Sequence, residues 1–221
     1  MRPYDTIIFD LDGTLLDTLD DLMDATNHAL RQMGWPERSK DEIRQFVGNG
    51  VAKLIERAVP PGTDDAGVKK ALDIFTPYYD AHKQDKTAPY PGIPDMLTAL
   101  KARGLTLAVV SNKFDAAVKG LMPEYFPGLI DAAAGEAVAA GVPKKPHPAM
   151  VHGVLKTLGA DPARAVYVGD SDVDLQTAKN AGLPCISVTW GFRDEDFLRA
   201  HGGATFVHSP AELAAFLMEK I

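Results

Sequence analysis

The stretch Thr6-Ile7-Ile8-Phe9-Asp10-Leu11-Asp12-Gly13-Thr14-Leu15 decides how this chain is read. Thr6–Phe9 is a short apolar run with β-branched residues, and it stops at a glycine-bearing turn. Such a run reads as a buried strand. Side chains two apart in a strand share a face, so Asp10 and Asp12 are expected to aim into one crevice at the strand's C-terminal end. Open parallel sheets bind their ligands there. Two carboxylates that close resist joint ionisation unless a cation or a proton intervenes. Oxygen ligands suit a hard divalent cation, magnesium first among them. Aspartates that merely cap the following structure would leave the same pattern.

Outward from this stretch the chain alternates. Further apolar runs lie at Leu105–Val110, Ala165–Val168, Cys185–Val188 and Ala204–Val207, with a weaker one at Ala132–Ala134. Between them fall helical patterns at Ile93–Arg103, Phe114–Met122, Pro148–Leu158 and Val173–Ala181. A last one, Pro210–Lys220, has Ser209 as its expected N-cap. Strands alternating with helices predict an α/β fold, a mostly parallel sheet covered on both faces.

The alternation breaks between residues 17 and 87. Leu19, Leu22, Met23, Thr26, Leu30 and Met33 recur at helical spacing before Gly34. Asp41–Val47, Val51–Ala58 and Asp64–Asp85 are helical too, and no strand-like run appears among them. So long a stretch between two strands is no plain crossover loop. It reads as an inserted all-helical domain, at residues 17–87, in a discontinuous core of residues 1–16 and 88–221. Leu19, Leu22, Met23 and Leu30 are its expected core, and Gly48 and Gly50 its expected turn between two helices.

Composition narrows the function. The 221 residues are 46% hydrophobic and 24% charged, values of a globular protein and not of a disordered one. With 23 Lys and Arg against 30 Asp and Glu, the net charge of −7 argues against a nucleic-acid binder. A small anionic substrate stays open, because a metal ion or one lysine can reverse the field of a cleft. The longest stretch without Asp, Glu, Lys or Arg, Asn180–Phe192, falls short of the roughly 20 residues that span a bilayer. Asp5 and Asp10 do not fit a signal peptide. Cys185 is the only cysteine, so neither an internal disulfide nor a cysteine zinc site is available. A cytoplasmic protein without membrane attachment is expected.

Three more islands carry possible chemistry. Ser111-Asn112-Lys113 follows an apolar strand, where a hydroxyl and exposed N–H groups at a strand-to-helix turn can cradle phosphate; ordinary turn chemistry uses the same residues. In Lys144-Lys145-Pro146-His147-Pro148 the prolines stiffen the loop before a helix. A lysine held there can neutralise a phosphoryl group, while a solvated basic loop is the plainer alternative. His147 reads as a loop residue, not a metal ligand. In Gly169-Asp170-Ser171-Asp172-Val173-Asp174, Asp170 ends a strand and is expected to reach the crevice of Asp10. Asp174 follows one turn on, and Asp172 complements the helix dipole. Helix capping by all three stays open. The four islands share one feature: each falls at the C-terminal end of a different expected strand.

With these residues in view, the sequence resembles the haloacid dehalogenase superfamily of phosphohydrolases over nearly its whole length. Asp10–Leu15 looks like the superfamily's first motif, Ser111 its second, Lys145 its third, and Gly169-Asp170 with Asp174 its fourth. The insertion sits where that family places a helical cap on a Rossmann-like core. Within the superfamily the chain is similar to the phosphoglycolate phosphatases at Val47-Gly48-Asn49-Gly50, Lys145-Pro146-His147-Pro148 and Val188-Thr189-Trp190-Gly191-Phe192. Asp12 argues against the dehalogenases and phosphonatases, which lack an aspartate there.

The resemblance implies a phosphate-monoester hydrolase. Asp10 would be the nucleophile and Asp12 the acid and base. Magnesium would be held by Asp10, Asp170 and the backbone carbonyl of Asp12, with Asp174 a direct or water-mediated partner. Ser111, the amide of Asn112 and Lys145 would grip the phosphoryl oxygens. The implied partner is a small phosphorylated substrate, 2-phosphoglycolate first, with no nucleic acid and no membrane; the chain would be a monomer or a homodimer. Arg44, Asn49 and Lys53, around the cap glycines, are candidates for the leaving-group side, unless they form a solvated helix face. Trp190 is expected to pack in the core. Hydrolases of other small esters, nucleotides or pyrophosphate, a β-phosphoglucomutase-like mutase and a non-catalytic binding protein are the alternatives.

Overall fold

The computed structural model describes residues 4–219. The chain divides into two compact units, Met1–Leu16 with Pro89–Ile221, and Asp17–Ala88. In chain order the first elements are β1 (Thr6–Phe9), β2 (Leu16–Asp17), α1 (Leu19–Gln32), α2 (Lys40–Phe46), α3 (Val51–Ala58), α4 (Asp65–His82) and β3 (Ala88–Pro89). Next come α5 (Ile93–Ala102), β4 (Thr106–Phe114), α6 (Asp115–Tyr125), β5 (Ala132–Glu136) and α7 (Ala149–Leu158). The last are β6 (Ala165–Gly169), α8 (Asp172–Ala181), β7 (Cys185–Val188), α9 (Glu195–Ala200), β8 (Phe206–Val207) and α10 (Pro210–Glu219). Lys220, the expected end of the final helix, lies outside the described residues, as do residues 1–3 and 221.

Six strands form one parallel sheet in the order β5-β4-β1-β6-β7-β8. β1 is central, with Ile7 opposite Leu107 of β4 and Val166 of β6. Strand alternation sorts its side chains onto two faces. Ile7 and Phe9 join Leu107, Val109, Val166 and Val168 under apolar residues of α5, α6 and α10. Ile8 joins Ala108, Val110, Ala165 and Tyr167 under α7 and α8. Covering both faces is what a parallel sheet requires, and it explains why its strands are continuous apolar runs. The chain moves from β1 outward to β4 and β5, then returns to β6 on β1's other side. That reversal opens a crevice at the C-terminal end of β1.

The structure departs from the expected elements in particular places. β4 does not end at Val110 but stays extended through Ser111-Asn112-Lys113 to Phe114. Its pairing with β5 is irregular after Val110 and resumes at Phe114 opposite Glu136, so the expected strand-to-helix turn at Ser111 is a distorted strand. β5 accordingly runs on to Glu136. α9, with Asp194 accepting from the Phe197 amide at its start, was not expected. At the final helix Ser209 Oγ accepts from the Glu212 amide, the expected cap.

In the helical unit α1 packs chiefly on α4. Leu19, Leu22 and Leu30 are buried, whereas Met23 is only half-buried, a correction to its expected core position. Ala71, Phe75 and Tyr79, four residues apart along α4, are its buried stripe. Ser39 and Glu42 form a capping box at α2. Asp21, buried on α1, accepts from the amides of Lys86 and Thr87 at 2.8–3.1 Å and so fixes the returning segment. Gly48 and Gly50 both take positive φ in the α2–α3 turn. Among the described residues no helix is long and apolar enough to cross a membrane.

Candidate active site

The crevice at the end of β1 is walled by the ends of three adjacent strands. Asp10 directly follows β1, and its amide extends the ladder to the carbonyl of Val168 on β6. Ser111 and Asn112 lie on the distorted end of β4, both buried. Asp170 follows β6, and Asp174 sits in the first turn of α8. Lys145, in the loop before α7, is 2% exposed. A basic loop in solvent, the plainer alternative for this lysine, is therefore excluded; its neighbours Lys144 and His147 are exposed.

Lys145 is the hub. Its ammonium lies 2.8 Å from Asp10 Oδ1 and 2.7 Å from Asp174 Oδ1, with the Tyr167 hydroxyl at 3.1 Å. Its backbone is clamped as well: the Lys145 amide donates to Asn112 Oδ1 at 2.7 Å, and Asn112 Nδ2 donates to the Lys145 carbonyl at 3.1 Å. The Asn112 side chain is thus committed to holding Lys145. Ser111 Oγ accepts from the amide of Lys113 at 3.2 Å.

The carboxylates are anchored unequally. Asp10 Oδ1 also accepts from the amide of Leu11. Asp170 accepts from Thr14 Oγ1 at 2.9 Å on one oxygen and from the Phe192 amide at 2.7 Å on the other. Asp174 is fully buried. One of its oxygens serves Ser171, both amide and hydroxyl, and the other serves Lys145 and the Tyr167 hydroxyl. Asp174 therefore does cap α8, one of the alternatives left open by the sequence, and it orders Lys145 at the same time.

Oxygens of Asp10, Asp170 and Asp174 lie within 4.8 Å of one another. Three carboxylates face one ammonium, so the buried cluster carries excess negative charge. Burial, then the charge of Asp174, pushes Asp10 well above the usual carboxylate range, with Lys145 pulling it back. The same two causes push Asp170 up to about 7. Burial works to lower Lys145, but Asp10 and Asp174 outweigh it and hold the ammonium well above its usual value. An all-oxygen, over-negative cluster is a donor set that a hard cation fits. The approach is close: Gly13 has φ +89°, and a Cβ there would fall 2.4 Å from Asp170 Oδ2.

A model of the haloacid dehalogenase-like hydrolases matches residues 7–188, and so takes in Asp10, Ser111, Asn112, Lys145, Asp170 and Asp174. The chain belongs to that family. A phosphoglycolate phosphatase of Mesorhizobium japonicum is 34% identical over 97% of this chain and 95% of its own. A crystal structure from Lactobacillus delbrueckii subsp. bulgaricus, described as a candidate phosphoglycolate phosphatase, superposes with a TM-score of 0.92 at 37% identity, covering 97% and 98% of the two chains. CbbY of Rhodobacter sphaeroides, in a mutant form crystallised with xylulose-(1,5)-bisphosphate, superposes at 0.71 and 26% identity over 95% and 96%.

In this member of the haloacid dehalogenase-like hydrolases, Asp10, Ser111, Asn112, Lys145, Asp170 and Asp174 are tied together by the contacts above or by the strand ends that carry them. Asp12 is placed differently from expectation. β1 ends at Phe9, and Asp12 lies in the following turn, bridged to Leu16, so strand alternation does not set its direction. Its carboxylate faces Lys113 at 3.1 Å. Arg44, Asn49 and Lys53 belong to the helical unit; Arg44 is exposed, and Lys53 pairs with Glu56 at 2.5 Å. Trp190 packs against the core and donates from Nε1 to the Thr14 carbonyl at 3.0 Å. Sequence reasoning missed Thr14, Tyr167 and Lys113 as site residues. Thr14 and Lys113 stood inside quoted islands, while Tyr167 looked like one more residue of an apolar strand.

Proposed function

We propose that this chain is a magnesium-dependent phosphate-monoester hydrolase working through an aspartyl-phosphate intermediate, with 2-phosphoglycolate as its first candidate substrate. The observation that carries the reading is the buried Asp10–Lys145 pair beside Asp170, at the point where the strand order of the parallel sheet reverses. A nucleophilic carboxylate and a fixed cation at one strand end are what phosphoryl transfer needs: positioning and charge stabilisation dominate that chemistry. The name carried by the Mesorhizobium japonicum relative supports the substrate.

In the first step a carboxylate oxygen of Asp10 attacks phosphorus and the ester P–O bond breaks. Asp12 gives its proton to the departing oxygen. In the second step water attacks the phosphorus, Asp12 takes its proton, and phosphate leaves with Asp10 restored. Ser111, the amide of Asn112 and Lys145 bind the non-bridging oxygens. Asp10, Asp170 and the main-chain carbonyl of Asp12 would hold magnesium, which supplies positive charge opposite those oxygens when bound. Asp174 and Tyr167 keep Lys145 aimed. The helical unit takes the part of the family's cap, and Arg44, Asn49 and Lys53 are its specificity residues to test.

The test is phosphate release from a panel of monoesters, with magnesium and with chelator, for the wild type and Asp10→Asn. Preference for 2-phosphoglycolate, abolished by the substitution and by chelation, is the expected result. The likeness to CbbY favours sugar phosphates as the second substrate class, so a sugar bisphosphate belongs in the panel. Better turnover of that ester replaces the substrate and keeps the chemistry. No release from any ester overturns the reading.

A further inference from the structure

Lys113 and Asp12 are 101 positions apart in sequence, and the contact between them has no part in the roles assigned above. The Lys113 side chain is 7% exposed, and its ammonium lies 3.1 Å from Asp12 Oδ1. That oxygen is shut off from solvent and makes no hydrogen bond of good geometry among the described residues; the ammonium meets it as an ion pair. Withdrawing a lysine head from water is unfavourable unless it gains such a partner. The pair also joins the first motif to the second.

Both backbones are pinned, so the ion pair governs the side chains alone. Around Asp12, the Gly13 amide donates to the Leu16 carbonyl at 2.9 Å, and the Leu15 and Leu16 amides donate to the Leu11 carbonyl at 2.9 and 3.0 Å. Lys113 sits on the distorted end of β4, where its amide is tied to Ser111 Oγ. β5 closes on that end: the Gly135 amide donates to Asp115 Oδ1 at 3.0 Å, and a Cβ on Gly135 would lie 2.5 Å from the Lys113 carbonyl oxygen. With the main chain fixed, the freedom left to Asp12 is rotation of its carboxyl.

We propose that Lys113 is a positioning residue that fixes the Asp12 carboxyl for its two proton transfers, the pair Lys113–Asp12 working beside the pair Lys145–Asp10. This rests on the proposed hydrolase reading. The two lysines then have separate roles. Lys145 answers to the nucleophile and the phosphoryl group, and Lys113 to the group that handles the leaving oxygen and the water.

The experiment compares two esters that differ in their need for a proton. An alkyl ester such as 2-phosphoglycolate expels a strongly basic oxygen, whereas p-nitrophenyl phosphate expels a weakly basic one. Lys113→Met keeps the stem and removes the charge; Lys113→Arg keeps the charge. For Lys113→Met, kcat/KM on the alkyl ester is expected to fall by about 100-fold, the size of one general acid–base contribution, and by less than about 10-fold on the aryl ester. Asp12→Asn should show the same discrimination, the double variant should be no worse than Asp12→Asn alone, and Lys113→Arg should recover part of the loss. Equal losses on both esters, or a rise in KM with kcat unchanged, would overturn the proposal and make Lys113 a phosphate contact or a structural residue. Should Lys113→Met not fold by circular dichroism, Lys113→Gln and Lys113→Arg carry the same comparison. Wild-type inactivity on both esters would remove the hydrolase reading and this proposal together. A discriminating Asp12→Asn beside an indifferent Lys113→Met would remove this proposal alone.

Discussion

Short-range ion pairs of the helical unit and the buried lysine cluster of the sheet unit use charge in opposite ways. In the helical unit the pairs Lys69–Asp73, Lys83–Asp80 and Lys53–Glu56 lie three or four residues apart on the chain, and Lys69 and Asp73 are 73% and 60% exposed. In the sheet unit the Lys145–Asp174 pair joins residues 29 apart at 2% and 0% exposure. Exposed pairs gain little because water already satisfies both ions. A buried pair is no great source of net stability either, but removing one partner strands the other. The contrast teaches that these helical-unit pairs decorate a surface, as Lys119–Asp115 and Arg164–Asp5 do in the sheet unit, while the buried Lys145 cluster is a constraint the fold tolerates in order to hold a site.

The sharpest way to break the comparison is to remove the nucleophile. Asp10→Asn should lower phosphate release by more than about 1,000-fold, as losses of catalytic nucleophiles do, while circular dichroism shows the fold intact. Lys145→Met should come next, because it leaves Asp10 and Asp174 buried together with no cation. Urea unfolding is expected to show a loss of about 3–5 kcal/mol without metal.

Acidity and metal sharpen the contrast in a third way. Asp170 has its native value raised to about 7 from 3.8. A carboxyl raised on folding binds more protons in the native state than in the unfolded one, so stability falls as pH rises from about 4 to 7. The metal-free protein should therefore melt at a lower temperature at pH 8 than at pH 5. Magnesium should raise the melting temperature more at pH 8, where the carboxylates are ionised; at 100 times its Kd there it adds about 2–3 kcal/mol of stability. Equal shifts at both pH values would show that the cluster does not bind the ion as carboxylates.

Tyr167→Phe removes a hydroxyl that is shared by Lys145, Asp174 and the Val110 carbonyl. A loss of about 1–2 kcal/mol in urea is expected, with a fall in activity on both alkyl and aryl esters. The smallest effect belongs to the helical unit: Lys69→Ala should change stability by less than about 0.5 kcal/mol. A larger loss there would blunt the distinction drawn between the two units.

The legibility of the fold followed locality. β1, β6 and β7 are readable because apolar β-branched runs sealed off by polar or glycine residues are properties of adjacent positions. The long helical interruption is readable from its 3.6-residue period. Ser111-Asn112-Lys113 reads wrongly as a turn, since polar residues at a strand end resemble loop chemistry, and the β5 pairing that brackets them at Val110 and Phe114 comes from residues more than 20 positions away. α9 escapes the sequence reading because six residues hold too few turns to display a period. The sheet unit's carboxylates stand out at once, but their individual duties do not. Asp174 is both helix cap and lysine partner, and both jobs depend on which distant side chain arrives beside it.

The sequence by itself determined the alternation of strands and helices, the helical insertion, and the set of residues brought to the C-terminal strand ends. Each follows from periodicity and from chain direction in a parallel sheet, which carries every strand's C-terminus to the same side. Only the tertiary structure decided which charges pair. It put Lys145 between Asp10 and Asp174, gave Lys113 to Asp12, and bound the Asn112 side chain to the Lys145 backbone. Those choices join residues 29 to 135 positions apart, and they are set by burial. An ion taken from water accepts whichever opposite charge or dipole the packed core leaves within hydrogen-bond reach, and no local pattern names that partner.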